Sequence, residues 1–246
     1  MSRLACLHGF TGRPGAWASA LRDVPPGVEI LTPTLHGHDG QASPPTRFTD
    51  EVDRLAEELR RVATNGWHLA GYSLGARLAL GLLVRHRGLF ASATLIGVHP
   101  GLSTEDERSQ RQAADEALAQ RLETEGLERF VDFWQNIPLF HSQQALPPAV
   151  RQSQRAARLE HSAAGLASSL RCLSLGAMPD FNPQLPALDL PVQLLVGELD
   201  IKFHRLAKGM VRTLPQATLG VVPSAGHNLL LEAPRAVATA LHRVLR

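Results

Sequence analysis

Cysteine is nearly missing: Cys6 and Cys172 are the only two in 246 residues, which excludes a disulfide-stapled scaffold and a thiolate metal cluster. Lysine is as scarce. Lys202 and Lys208 stand alone among 25 basic residues, and the rest are arginine. Aromatic residues make up only 5% and no Lys/Arg block occurs, so neither a phosphate-tracking stripe nor a base-stacking platform is present and no nucleic-acid partner is expected. No apolar run reaches the roughly 18 residues of a membrane span. The opening MSRLACLHGF also lacks the basic stretch, apolar core and cleavage site of a signal peptide, so the expected location is cytoplasmic. Repeats and low-complexity tracts are absent. What is present is a 44% hydrophobic fraction with a net charge of +2, which suits a globular chain with a large buried core and excludes disorder. The arginine excess has two readings: a base-composition bias, or guanidinium groups that grip carboxylates bidentately.

Hydrophobic periodicity predicts short buried strands over 3–9, 28–33, 67–73 and 91–98, and helices over 49–64 and 74–86. Thr49, followed by Asp50 and Glu51, has the chemistry of a helix start. Strand-helix-strand at this pitch means parallel β-α-β units. From 100 to 186 the pattern becomes polar and helical, with helices expected over 104–126, 127–136 and 148–176. Strands over 191–200 and 217–222 then alternate with helices over 203–214 and 227–245. The reading is an α/β fold: a core from 1–99 and 187–246, a mostly parallel sheet flanked by helices, with 100–186 inserted as a helical lid. Ligands in such sheets bind beyond the carboxyl ends of the strands, where the lid would sit.

The strongest chemical signal is Gly71-Tyr72-Ser73-Leu74-Gly75, a G-x-S-x-G pattern between a strand and a helix. The turn is so sharp that side chains on the flanking positions would clash, and it lifts the hydroxyl above the sheet. A serine nucleophile or base needs a histidine, and the histidine an acid. Asp200 ends the strand VQLLVGELD and His227 follows the last strand, in the order Ser, Asp, His. Asp189 is a rival acid but precedes its strand. An anion-binding pair of backbone N–H groups is expected from Phe10, in His8-Gly9-Phe10-Thr11-Gly12, and from Leu74. His36, His38 and Asp39 lack a third well-spaced ligand, so no metal is expected.

HGFTG, GYSLG, GELD and AGH together resemble the landmarks of the α/β-hydrolase superfamily. Because only seven residues precede His8, the resemblance implies a sheet with a shortened N-terminal edge. Arg77 stands one helical turn after Ser73, where a plain hydrolase more often carries an apolar residue. With Phe133–Phe140 and 165–171, it makes the chain similar to the 2-succinyl-6-hydroxy-2,4-cyclohexadiene-1-carboxylate synthases of menaquinone biosynthesis. That resemblance implies a cofactor-free lyase of this fold. Ser73, with His227 and Asp200, would remove a proton α to a ketone, and pyruvate would leave. It also implies a small polycarboxylate substrate held by Tyr72, Arg77, Arg111, Trp134 and Arg158, in a monomer or small homo-oligomer. Arg155 is the neighbour that competes with Arg158 for this role, and Trp134 serves equally as interior of the lid. The alternatives are a serine carboxylesterase that shares the Ser-Asp-His set without needing Arg77, and a catalytically inert scaffold that senses an anion.

Overall fold

A computed structural model describes residues 2–38 and 47–245. The chain runs β1 (Arg3–Leu7), a 3-10 turn (Pro14–Trp17), α1 (Ala18–Leu21), β2 (Glu29–Leu31), α2 (Phe48–Val62), β3 (Trp67–Tyr72), α3 (Leu74–Arg85) and β4 (Phe90–Ile96). There follow α4 (Glu105–Glu125), α5 (Leu127–Trp134), a 3-10 segment (Pro138–Ala145), α6 (Pro148–Leu159) and α7 (Ala163–Cys172). It closes with β5 (Val192–Gly197), α8 (Ile201–Val211), β6 (Ala217–Val222), α9 (Leu229–Glu232) and α10 (Pro234–Val244). The six strands pair in the order β2-β1-β3-β4-β5-β6, and every pair is parallel. The chain leaves β1 toward one edge and returns at β3 to build toward the other. The carboxyl ends of β1 and β3 therefore flank the point where the winding reverses, the usual ligand crevice of such sheets.

Alternation along the strands divides the core. Ala5, Leu7, Leu69, Leu95, Leu194 and Val196 face α2, α3 and α8, while Leu4, Cys6, Ala70, Ile96 and Leu195 face α1, α9 and α10. In α2 the helical spacing puts Val52, Leu55 and Leu59 wholly in the interior, each contributing about 1.5–3 kcal/mol. A separate small core forms in the insertion from Ala119 and Leu122 of α4, Phe130 of α5 and Leu166, Ala167 and Leu170 of α7.

Three expected boundaries differ. α2 starts at Phe48, one residue before the expected Thr49 cap, and the Phe48 ring is buried; Arg47 stands at the cap, its side chain paired with Asp50 and not with the helix backbone. The helix expected over 148–176 is two helices, since the Ser162 hydroxyl accepts the Gly165 N–H and starts α7. The last helix is also split. Pro234 has no N–H to continue α9 and opens α10 instead.

Candidate active site

β3 delivers Ser73 to the start of α3 with φ 52° and ψ −106°, a conformation that costs a non-glycine residue about 1–3 kcal/mol. Close packing enforces it. A Cβ on Gly71 would lie 2.5 Å from the Gly75 oxygen, and one on Gly75 would lie 2.2 Å from the Leu7 oxygen. The Ser73 N–H is tied to the Ile96 carbonyl at 2.9 Å, so the turn is braced from β4 as well.

His227 Nε2 lies 3.0 Å from Ser73 Oγ, and His227 Nδ1 lies 2.6 Å from Asp200 Oδ2. The carboxylate can only accept. It therefore fixes the ring proton on Nδ1 and leaves the Nε2 lone pair for the serine hydroxyl. Asp200 caps α8, its Oδ1 accepting the Phe203 N–H at 3.3 Å. Gly97, with φ 58°, lets the chain pass under the imidazole: a Cβ there would meet His227 Cε1 at 2.8 Å. Glu232 accepts from the N–H groups of Gly226 and Asn228 on either side of His227, a brace that the sequence reading missed. Asp189 instead pairs with Arg87 on the exposed side before β5.

The loop after β1 comes against the Ser73 turn. A Cβ on Gly9 would sit 2.7 Å from the Tyr72 ring, and the Leu7 and His8 carbonyls touch Gly75. Phe10 and Leu74 consequently line one cavity with Ser73. As the first residue of α3, Leu74 has no intrahelical acceptor for its N–H. His38 steadies this loop by accepting the Thr11 N–H at 3.1 Å on Nε2, while its Nδ1 sits 3.0 Å from the His36 carbonyl. His36 pairs with Ser168, and Asp39 lies outside the described residues. Among the described residues no three His, Cys, Asp or Glu side chains converge as metal ligands.

The cavity has a volume of about 480 Å³. Beside Ser73 it gathers Tyr72, Arg77, Arg111, Trp134 and Lys202. Arg77 Nη1 donates to the Leu173 carbonyl at 2.9 Å, and burial together with neighbouring Arg111 lowers its pKa to about 9. Arg111 pairs at 2.9 Å with Asp115, whose same oxygen accepts the Ser174 hydroxyl at 2.7 Å. Burial also raises the Tyr72 phenol well above its usual range, so it is a neutral donor. Arg158 is placed differently. It lines an adjoining cavity of about 580 Å³ that shares Phe10, Tyr72 and Phe140 with the first, and its guanidinium lies 5.4 Å from the Phe140 ring. Arg155 points elsewhere, paired with Glu128 and Asp132.

Residues 4–240 match the alpha/beta hydrolase family. The chain belongs to it. Among alpha/beta hydrolases, the 2-succinyl-6-hydroxy-2,4-cyclohexadiene-1-carboxylate synthase of Salmonella paratyphi C is 35% identical over 246 residues, covering 99% of this chain and 93% of that protein. The solved structure of MenH from S. aureus superposes with a TM-score of 0.95 at 29% identity, over 99% of this chain and 93% of that one. A malate-bound thermophilic esterase from Thermogutta terrifontis follows at a TM-score of 0.86 and 25% identity, over 100% and 91% of the two chains. The family resemblance drawn from HGFTG, GYSLG, GELD and AGH is borne out.

Among the cavity residues that escaped the sequence reading of this alpha/beta hydrolase are Lys202 and His99. Lys202, two residues after Asp200, is one of only two lysines, which was a usable signal. His99 was given no role by the sequence, and it lies just past β4 at the ligand-binding end of the sheet.

Proposed function

We propose that this alpha/beta hydrolase is a carbon-oxygen lyase that converts 2-succinyl-5-enolpyruvyl-6-hydroxy-3-cyclohexene-1-carboxylate into 2-succinyl-6-hydroxy-2,4-cyclohexadiene-1-carboxylate and pyruvate. The reading rests on one observation: Arg77, Arg111 and Lys202 share a cavity with the Ser73, His227 and Asp200 relay. A substrate with several carboxylates needs such cations, because an unpaired buried charge costs several kcal/mol. An ester hydrolase has no such need.

In this reading His227 Nε2 takes the Ser73 hydroxyl proton as the serine oxygen removes the hydrogen α to the succinyl ketone. The electron pair moves through the ring double bond and breaks the C–O bond to the enolpyruvyl group. The departing enolpyruvate recovers the proton from the Ser73 and His227 pair and becomes pyruvate, so the enzyme ends as it began. The Phe10 and Leu74 N–H groups stabilise the transient negative charge on the ketone oxygen. Tyr72, Arg77, Arg111, Trp134 and Arg158 hold the substrate, and the 100–186 insertion serves as the lid. The reaction needs no cofactor or metal and takes place in the cytoplasm.

The esterase alternative draws on the same relay and on the likeness to the Thermogutta esterase. Pyruvate release and Arg77→Ala separate the two. The lyase should release pyruvate from the enolpyruvyl substrate, fall by about 10²-fold with R77A, and stop with S73A, since losing a hydrogen bond to a charged group costs about 1.5–3 kcal/mol. An esterase would release none and would keep most of its ester-cleaving rate with R77A. Labelling of Ser73 by a fluorophosphonate would exclude the inert scaffold.

A further inference from the structure

The turn after β4 carries a histidine for which the mechanism above has no task. His99 lies on the wall of the Ser73 cavity and is 8% exposed. Its ring is held from behind. The Gly101 N–H donates to Nδ1 at 3.1 Å. Gly101 is itself fixed, with φ 122° and room for no side chain, since a Cβ would stand 2.6 Å from Asp180 Cα. The intervening Pro100 carbonyl accepts the Phe181 N–H at 2.9 Å, which docks the turn on the segment after α7.

Because Nδ1 accepts, the proton of the neutral imidazole is on Nε2. Among the described residues that N–H makes no hydrogen bond, and it is not one of the sealed unpartnered polar atoms, so it opens onto the cavity. A donor on a cavity wall is within reach of a ligand's acceptor. The surroundings also keep the ring uncharged. Burial above all, and then Lys202 from α8, Arg77 from α3 and Arg111 from α4, oppose its protonation; together they outweigh Glu107 of α4 and lower its pKa to about 4. A further cation would add repulsion among Arg77, Arg111 and Lys202. A neutral donor adds a directional bond without that cost.

We propose that His99 binds the substrate as a neutral donor, its Nε2–H directed to an oxygen of the carboxylate that Arg77, Arg111 and Lys202 hold by charge. A carboxylate has roughly four lone-pair positions, so cations and an imidazole can share it. The cations supply attraction and the imidazole sets the plane of the group. This rests on the polycarboxylate reading of the cavity.

The test compares wild type, His99→Phe and His99→Gln. Phenylalanine keeps the ring and removes the donor, whereas glutamine restores an N–H at similar reach. In the pyruvate-release assay H99F should raise KM about tenfold with kcat within about twofold, and H99Q should return KM to within about threefold of wild type. Calorimetric titration with citrate, a tricarboxylate that does not react, should show the same order of affinities. Melting curves establish that each variant is folded. If H99F is not, H99N, polar but too short to reach, takes its place. A KM and citrate affinity unchanged in folded H99F would overturn the proposal, as would an H99Q no better than H99F, the result expected of a purely structural ring. If wild type releases no pyruvate, the lyase reading fails, and the citrate titrations still decide the role of His99.

Discussion

Among the described residues, the Arg158 guanidinium has no carboxylate partner. It is 4% exposed, its Nη1 has no hydrogen bond among the described residues, and burial lowers its pKa to about 10. A cation so placed weakens the fold unless an anion joins it, and a flexible apolar residue of similar length would fill the same space without that cost. Arg158→Met is therefore expected to raise the melting temperature by about 3–6 °C, a gain of about 1–2 kcal/mol in a chain this size. It should also lower pyruvate release at least tenfold. A lower melting temperature would mean the charge is already compensated. At this scale the sequence was most informative where chemistry and spacing coincide. Gly71-Tyr72-Ser73-Leu74-Gly75 works only as a tight turn, and periodicity alone sets Asp200 and His227 in the loops that follow the last two strands. Arg111 and Arg158 sit on polar helices where one arginine looks like the next, so only resemblance singled them out.

Between elements, Asp115 does more than its place on a solvated helix announced. It is 2% exposed and its Oδ2 accepts from both Arg111 and Ser174, which joins α4 to the turn beyond α7. Among the described residues it is also the acid that acts favourably on Arg77. Asp115→Asn keeps the shape and removes the charge that offsets the two arginines. The expected loss is about 2 kcal/mol, below the range for breaking a fully buried pair because Arg111 is 38% exposed. Thermal unfolding measures it, and an unchanged midpoint would deny Asp115 this part. The strands and most helices were legible because buried strands and amphipathic helices leave different periods. The splits at Ser162 and Pro234 were not read, since the apolar pattern continues across both breaks. Pro234 could have been, because a proline within a helical run marks a start or a stop.

Across the described molecule, four histidines are held below their ordinary pKa. Burial lowers His36, His38, His68 and His99, and His38, packed among His8, His161 and His36, is pushed well below the ordinary value. His38 also accepts the Thr11 N–H, so its protonation would break the support of the loop that carries Phe10. For a depressed histidine the unfolded chain takes up the proton first. Stability is then complete above the unfolded value of 6.5 and falls as pH drops from there toward the native value. Each fully separated histidine loses about 1.4 kcal/mol per pH unit in that window. His99 alone should cost the fold about 1.5 kcal/mol between pH 6.5 and 5, or roughly 3–6 °C in melting temperature, and His38 adds to the loss in the same direction. Carboxylates such as Asp53 and Asp132, held low by Arg85 and Arg155, should add to the loss only below about pH 4. The two groups can be told apart by variant. His99→Gln removes one of the titrating rings and should flatten the slope between pH 6.5 and 5 while leaving the steeper fall below pH 4 in place. A wild-type melting temperature that stays level from pH 7 to 5 would show that these rings are protonated as easily in the folded chain as in the unfolded one.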